Sequence, residues 1–305
     1  MRTTIVAEGG GQRGIYTAGV LDAFQTEGFA PFTGGIGVSA GAQNLLTYFL
    51  EQPGYARRAI AELTAAPDFF VPYRWFGARG MIDLDGYFER TIAHPDYLLP
   101  YQELRRLHGR RRLLFVATDR YTLEPLYLEP DAATALEWMK ASSAVPFLYR
   151  SGVRFGDRCL VDGGVGDPLP VRHAYRLGAR RLLVVRTVAE GEHTRSHWRR
   201  SLTLAARAGA LPGSWRSMLA AHESAYAAAN AFIDAPPDDL ELIEIRPRTP
   251  LRSGLFGSRS ESLVADYRTG LADGERAIRS LAHWVGPALT EGAPAAERLD
   301  PLSVG

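Results

Sequence analysis

Gly34-Gly35-Ile36-Gly37-Val38-Ser39-Ala40-Gly41-Ala42-Gln43-Asn44 reads as a short apolar strand, a sharp turn with a serine at its apex, and the start of a helix. Gly37 to Gly41 fit G-x-S-x-G, the nucleophile elbow, in which a serine sits on a tight strand-to-helix turn with its hydroxyl exposed at the helix N-terminus. Glycines are needed at either end because a side chain would collide where strand and helix approach closely. Three fixed positions in five also recur by chance in a chain with 31 glycines. The setting of the pattern therefore decides what it means.

Upstream, Thr3 to Ala7 forms a strand pattern that runs into Glu8-Gly9-Gly10-Gly11-Gln12-Arg13-Gly14 and then a helix over Ile15 to Glu27. Tyr16, Val20 and Phe24 recur at helical spacing on one face, and Gly28 is a C-terminal stop. Downstream of Ser39, Ala42 to Leu50 is apolar all round, which predicts a buried helix. Two strand–turn–helix units in succession argue for an α/β fold, a parallel sheet with helices on its faces. Residues 51–108 read as helices and loops. Within them Phe69 to Phe76 is the most aromatic stretch; a core-packing loop is the first expectation and a wall or lid at a site mouth the second. Arg112 to Thr118 is a buried strand that Thr122 to Leu128 extends as a hairpin, and Ala132 to Lys140 is helical. Val153–Phe155 and Cys159–Val161 flank a Gly156-Asp157 turn, with Cys159 expected as a small buried hydrophobe. Helix Val171 to Leu177, strand Arg181 to Thr187, a helical and partly basic region 190–235, strand Leu240 to Ile245 and helix Ser262 to Val285 follow. Residues 1–287 are expected as one domain, and 288–305 as a frayed tail.

Composition bounds the function. At 305 residues with 46% hydrophobic and 23% charged residues, the chain is an ordinary globular protein able to bury a sizeable core. A net charge of +1 gives no nucleic-acid footprint. The arginine and alanine richness suggests a GC-rich bacterial genome. Cys159 is the single cysteine, which excludes internal disulfides and a cysteine zinc site. The N-terminus lacks the pattern of a signal peptide, and no apolar run reaches the ~20 residues of a membrane span. A cytoplasmic protein, with peripheral membrane contact admitted, is the expectation.

Gly9 to Gly14 also fits G-x-G-x-x-G after a strand, the dinucleotide fingerprint. That motif wants an acid at the end of the second strand, where this chain has Gly37-Val38-Ser39; Glu27 sits instead at the end of the helix. Asp162 in Asp162-Gly163-Gly164 has the commonplace reading of a turn residue. A Ser-acid-His triad in the order of α/β-hydrolases is formally open to His173, His193, His197, His222 and His283, none of which has the late strand-to-loop setting that such a histidine wants.

Four segments in this order, Gly9-Gly10-Gly11-Gln12-Arg13-Gly14, Gly37 to Gly41, Ala141-Ser142-Ser143-Ala144-Val145-Pro146 and Asp162-Gly163-Gly164, together resemble the patatin-like phospholipase family. The resemblance covers roughly residues 4–190. It implies a three-layer α/β/α fold with a central mostly parallel sheet, and a serine acyl hydrolase that acts on lipid or other carboxylic esters without metal or organic cofactor. Ser39 would be the nucleophile and Asp162 its base, with no histidine between. Gly9, Gly10, Gly11 and the Ala40 amide would form the oxyanion hole, each donor worth roughly 3–4 kcal/mol in comparable sites. Arg13, Gly14, Gly37, Gly41, Gly163 and Gly164 would support the motifs, Arg13 by fixing its loop or attracting an anionic head group. Ala141 to Pro146 is assigned structural support. Glu8 departs from the aspartate of plant patatins and is expected to be structural. An acyltransferase or thioesterase with the same dyad, and a non-catalytic lipid-binding protein of the same fold, are the rival readings.

Overall fold

The computed structural model of the protein describes residues 2–76, 80–107, 109–146, 148–191 and 213–285. In chain order the elements are β1 (Arg2–Ala7), α1 (Gly14–Thr26), β2 (Gly34–Val38), α2 (Ala40–Phe49), α3 (Tyr55–Arg58), α4 (Leu84–Ala93), α5 (Leu104–Leu107), β3 (Arg112–Asp119) and β4 (Pro125–Leu128). They continue with α6 (Ala135–Ser142), β5 (Val153–Phe155), β6 (Arg158–Asp162), α7 (Val171–Arg176), β7 (Ala179–Val185), α8 (Gly213–Asp234), β8 (Glu241–Ile245) and α9 (Ser260–Ser280).

Near-continuous apolar strands predict a sheet covered on both faces, and the two cores show it. Along β1, Ile5 and Ala7 enter one hydrophobic cluster while Val6 enters another. Leu183 and Val185 against Leu182 and Val184 repeat the alternation in β7, as do Leu113 and Phe115 against Leu114 and Val116 in β3. The period-2 pleat thus feeds two cores, one with α1 and α2, the other with α7 and α8. The sheet runs β5-β6-β3-β2-β1-β7-β8 with β4 on β3. Strands β3, β2, β1, β7 and β8 are parallel, and β4, β5 and β6 join antiparallel. This is the three-layer, mostly parallel α/β/α architecture expected.

The register of β3 positions the site. Phe115 and Val116 pair with both β2 and β4, while Ala117 and Thr118 pair with both β4 and β6. A strand has two edges, so β2 and β6 share the edge opposite β4. Val38 pairs with Val116 and Asp162 with the next residue, Ala117. Strand β6 therefore enters where β2 stops, and Asp162 arrives beside the turn that carries Ser39.

Helix α1 differs from its sequence pattern. Besides the expected face, every residue from Gly14 to Phe24 is buried. The reason is α9, which lies so close that a Cβ on Gly270 would stand 2.1 Å from the Tyr16 carbonyl oxygen. Paired polar contacts lock the crossing: Tyr16 Oη donates to Asp273 (2.8 Å) and Tyr267 Oη to Asp22 (2.8 Å). Cys159 is half-buried rather than buried, since β5 and β6 form the sheet margin. The helical expectation for 192–212 and the tail 288–305 lie outside the described residues. Among the described residues no helix is long and apolar enough to cross a membrane.

Candidate active site

Ser39 follows β2 and caps α2 at φ 53°, ψ −124°, a left-handed backbone that a non-glycine residue rarely adopts. Close packing enforces the turn. A Cβ on Gly37 would stand 2.5 Å from Ala42 Cα, and one on Gly41 would stand 2.4 Å from the Ala7 carbonyl oxygen. The Ser39 carbonyl accepts from Ala42 N–H (2.9 Å), and its own N–H donates to Ser142 Oγ (2.8 Å).

The Ala141–Pro146 segment does more than flank the site. Besides that Ser142 contact, the Ser142 carbonyl accepts from Gly163 N–H (3.3 Å) and the Ala144 carbonyl from Asp162 N–H (2.9 Å). Ser143 Oγ accepts from Gln43 (3.0 Å). One short segment thus ties the serine turn to the aspartate turn.

Asp162 is 3% exposed. Burial pushes its carboxyl up to about 7, against hydrogen bonds from the Gly164 amide and the Ser39 side chain that pull it down. Gly164 N–H reaches Asp162 Oδ1 at 2.7 Å. Gly163 packs with no room for a side chain against Val116 of β3. A carboxyl of this kind exchanges a proton near neutral pH, the range that suits a general base.

The glycine loop follows β1, at the point where the chain leaves β1 for β2 on one side and later returns as β7 on the other. Ligands of open α/β sheets bind at such a switch point, beyond the carboxyl ends of the strands. Gly9 packs against Ser39 and Gly10 against Thr187, and Gly11 adopts φ +55° beneath the Leu255 carbonyl. Gln12 N–H donates to that carbonyl (2.9 Å) and Arg13 N–H to the Gly10 carbonyl (3.1 Å). Among the described residues no backbone carbonyl accepts from the Gly9, Gly10 or Gly11 amides, which border the cavity. The Ala40 amide, at the first position of α2, has no intrahelical acceptor by helix geometry. Arg13 is buried, its Nε donates to the Gly10 carbonyl (3.5 Å), and it also borders the cavity. Gly14 starts α1 with Ala40 against it.

Glu8 is buried in a polar cluster. Its carboxylate accepts from Thr187 N–H (2.7 Å) and Tyr226 Oη (3.0 Å), with the buried Arg186 guanidinium 3.9 Å away. Thr187 Oγ1 donates in turn to the Gly9 carbonyl (2.9 Å). The expectation of a structural Glu8 matches this geometry. Its partners carried one signal in the sequence, an arginine ending the apolar run Leu182-Leu183-Val184-Val185.

Ser39, Asp162 and the glycine loop open onto one cavity of about 740 Å³. Its walls are largely apolar, among them Ile60, Phe69, Phe70, Tyr87, Leu251 and Phe256. At the start of the aromatic stretch, Phe69 is buried in the core and Phe70 stacks on Phe256 with centroids 5.5 Å apart, both at the cavity wall, whereas Tyr73 is exposed. The segment 250–256, which sequence reading left unassigned, supplies another wall.

Of the histidines, His173 lies on α7, stacked on Tyr127 at 3.4 Å and outside the cavity lining; burial lowers it to about 4. His283 bonds Glu241 (2.7 Å) at the far end of β8. His193 and His197 lie outside the described residues. His222 does border the cavity, but its Nδ1 is bonded to the Gly164 carbonyl.

Residues 5–175 match the family model described as patatin-like phospholipase, and residues 215–286 match a domain of unknown function, DUF6363. The uncharacterized protein YjjU of Escherichia coli (strain K12) is 37% identical over 302 residues, 99% of this chain and 83% of that protein. The chain belongs to the patatin-like phospholipase family. Among solved structures, VipD from Legionella pneumophila aligns with a TM-score of 0.43 at 15% identity, over 92% of this chain and 67% of that one. Human GIVD cytosolic phospholipase A2 aligns with a TM-score of 0.47 at 13% identity, over 95% and 60%.

Proposed function

We propose that the protein is a serine acyl hydrolase of lipid carboxylic esters, working through a Ser39–Asp162 dyad. The observation that carries the reading is the buried Asp162 carboxyl, raised to about 7 by burial, which the register of β2, β3 and β6 brings beside the strained strand-to-helix turn of Ser39. Ser39 Oγ attacks the ester carbonyl carbon while Asp162 takes the hydroxyl proton. The Gly9, Gly10, Gly11 and Ala40 amides face the resulting oxyanion, aided by the N-terminal dipole of α2. Collapse breaks the bond to the leaving alcohol, which takes the proton from Asp162 and leaves an acyl-Ser39 ester. Water then attacks; Asp162 takes its proton and returns it to Ser39 Oγ as the carboxylic acid departs. A largely apolar cavity favours a lipid acyl chain as the bound group. Because residues of both family-matched segments wall that cavity, residues 1–287 are read as one domain.

The test is labelling with a long-chain alkyl fluorophosphonate, located by peptide mass spectrometry. A phosphonylated Ser39, slowed in Asp162→Asn, is the expected result. Label on another residue, or none on a folded protein, would overturn the proposal.

A further inference from the structure

Helix α8 lies outside the segment matched to the patatin-like family, yet two of its side chains reach the loops of the dyad. The Asp162-Gly163-Gly164 turn has three carbonyls to hold. The first, of Asp162, accepts from Val165 N–H (3.1 Å) and Thr118 Oγ1 (3.0 Å). The second, of Gly163, accepts from Asp167 N–H (3.0 Å) and again from Thr118 Oγ1 (3.4 Å). The third, of Gly164, accepts from His222 Nδ1 of α8. A carbonyl can only accept, so the buried imidazole carries its proton on Nδ1.

Two successive glycines have more backbone freedom than any other pair. The Gly164 amide that holds Asp162 Oδ1 at 2.7 Å is therefore only as steady as the peptide groups beside it. Fixing the Gly164 carbonyl removes rotation about that residue and keeps the amide aimed. One helical turn on, Tyr226 Oη donates to Glu8 (3.0 Å), and Thr187, also bonded to Glu8, donates to the Gly9 carbonyl. Residues four apart share a helix face, so a single face of α8 touches both the aspartate turn and the supports of the glycine loop.

We propose that His222 is a positioning residue: it holds the Gly164 carbonyl so that the Gly164 amide keeps the Asp162 carboxylate turned toward Ser39. The inference rests on the dyad reading above. It makes the C-terminal segment a working part of the site, with its effect on turnover rather than on binding.

The experiment measures kcat and KM for a p-nitrophenyl ester in wild type, His222→Ala, His222→Phe and His222→Asn. Rates are normalised by active-site titration, and thermal denaturation is followed beside them. Asparagine places an N–H donor near the Nδ1 position, whereas phenylalanine keeps ring volume without a donor. Ala and Phe are expected to lose about 10- to 100-fold in kcat with KM little changed, the size of a small misplacement at a reacting group. Asn is expected to recover most of it. An Asn variant no better than Phe, or rates per active site unchanged in Ala and Phe, would overturn the proposal. A wild type that hydrolyses no ester is instead a failure of the dyad reading. Crystal structures of wild type and His222→Phe then decide the geometric claim: a displaced Gly164 carbonyl and a rotated Asp162 carboxylate support it, and an unmoved carboxylate overturns it.

Discussion

Asp162→Asn should abolish activity and stabilise the protein, by an amount that depends on pH. In the folded protein Asp162 keeps its proton up to about pH 7, whereas an aspartate in the unfolded chain releases it near 3.8. Between those values the folded state binds more protons than the unfolded one, so this carboxyl's contribution to stability falls as pH rises through that window. Roughly three tenfold steps in proton affinity, at about 1.4 kcal/mol each, come to about 4 kcal/mol of destabilisation above pH 7. Near pH 5 the folded-state carboxyl is protonated and less than half of the penalty remains. Asparagine has the same shape, carries no charge and keeps an acceptor for the Gly164 amide, so it should remove most of this cost. Urea denaturation of wild type and Asp162→Asn at pH 5 and pH 8 reads the difference directly. The variant should gain clearly more at pH 8 than at pH 5. A variant that is less stable at pH 8, or that gains equally at both, would refute the buried, proton-holding carboxyl on which the mechanism depends.

The same carboxyl sets the acid limb of catalysis. Turnover should fall about tenfold per pH unit below an apparent pKa near 7 and level off above it; a limb in the ordinary carboxylate range near 4 would contradict the assignment. Phe256→Ala opens the wall where Phe256 stacks on Phe70, and should lower kcat/KM for long-chain relative to short-chain esters by roughly tenfold. Unchanged selectivity would separate this wall from the acyl chain. Gly270→Ala places a Cβ 2.1 Å from the Tyr16 carbonyl oxygen and should cost ~1–3 kcal/mol in unfolding free energy as α9 is pushed off α1. An unchanged denaturation midpoint would show that the crossing is looser than described.

Much of the fold was legible because its signals are local. The apolar runs of β1, β2, β3 and β7 and the glycines at their ends read directly as strand and turn. The motif segments could be ordered along the chain, since each is only a few residues long. What could not be read was how β3 uses its edges. The entry of β6 beside the end of β2 depends on pairing between residues more than forty apart in sequence, and that register is what brings Asp162 to Ser39. Helix α1 looked one-sided because the glycine-mediated approach of α9 leaves no apolar pattern to detect. His222 was weighed only as a triad member and set aside for lacking a strand-to-loop setting. Its actual partner is a backbone carbonyl, which has no side-chain signature; the one trace in the sequence is His222 and Tyr226 four residues apart on one helix.

The dyad itself is tested most directly by hydrolysis of short- and long-chain p-nitrophenyl esters with wild type, Ser39→Ala, Asp162→Asn and His173→Ala, all shown to be folded. A Ser39–Asp162 dyad predicts losses of ~10³-fold or more in the first two variants and full activity in His173→Ala. Activity that survives Ser39→Ala, or that disappears with His173→Ala in a folded protein, would contradict it.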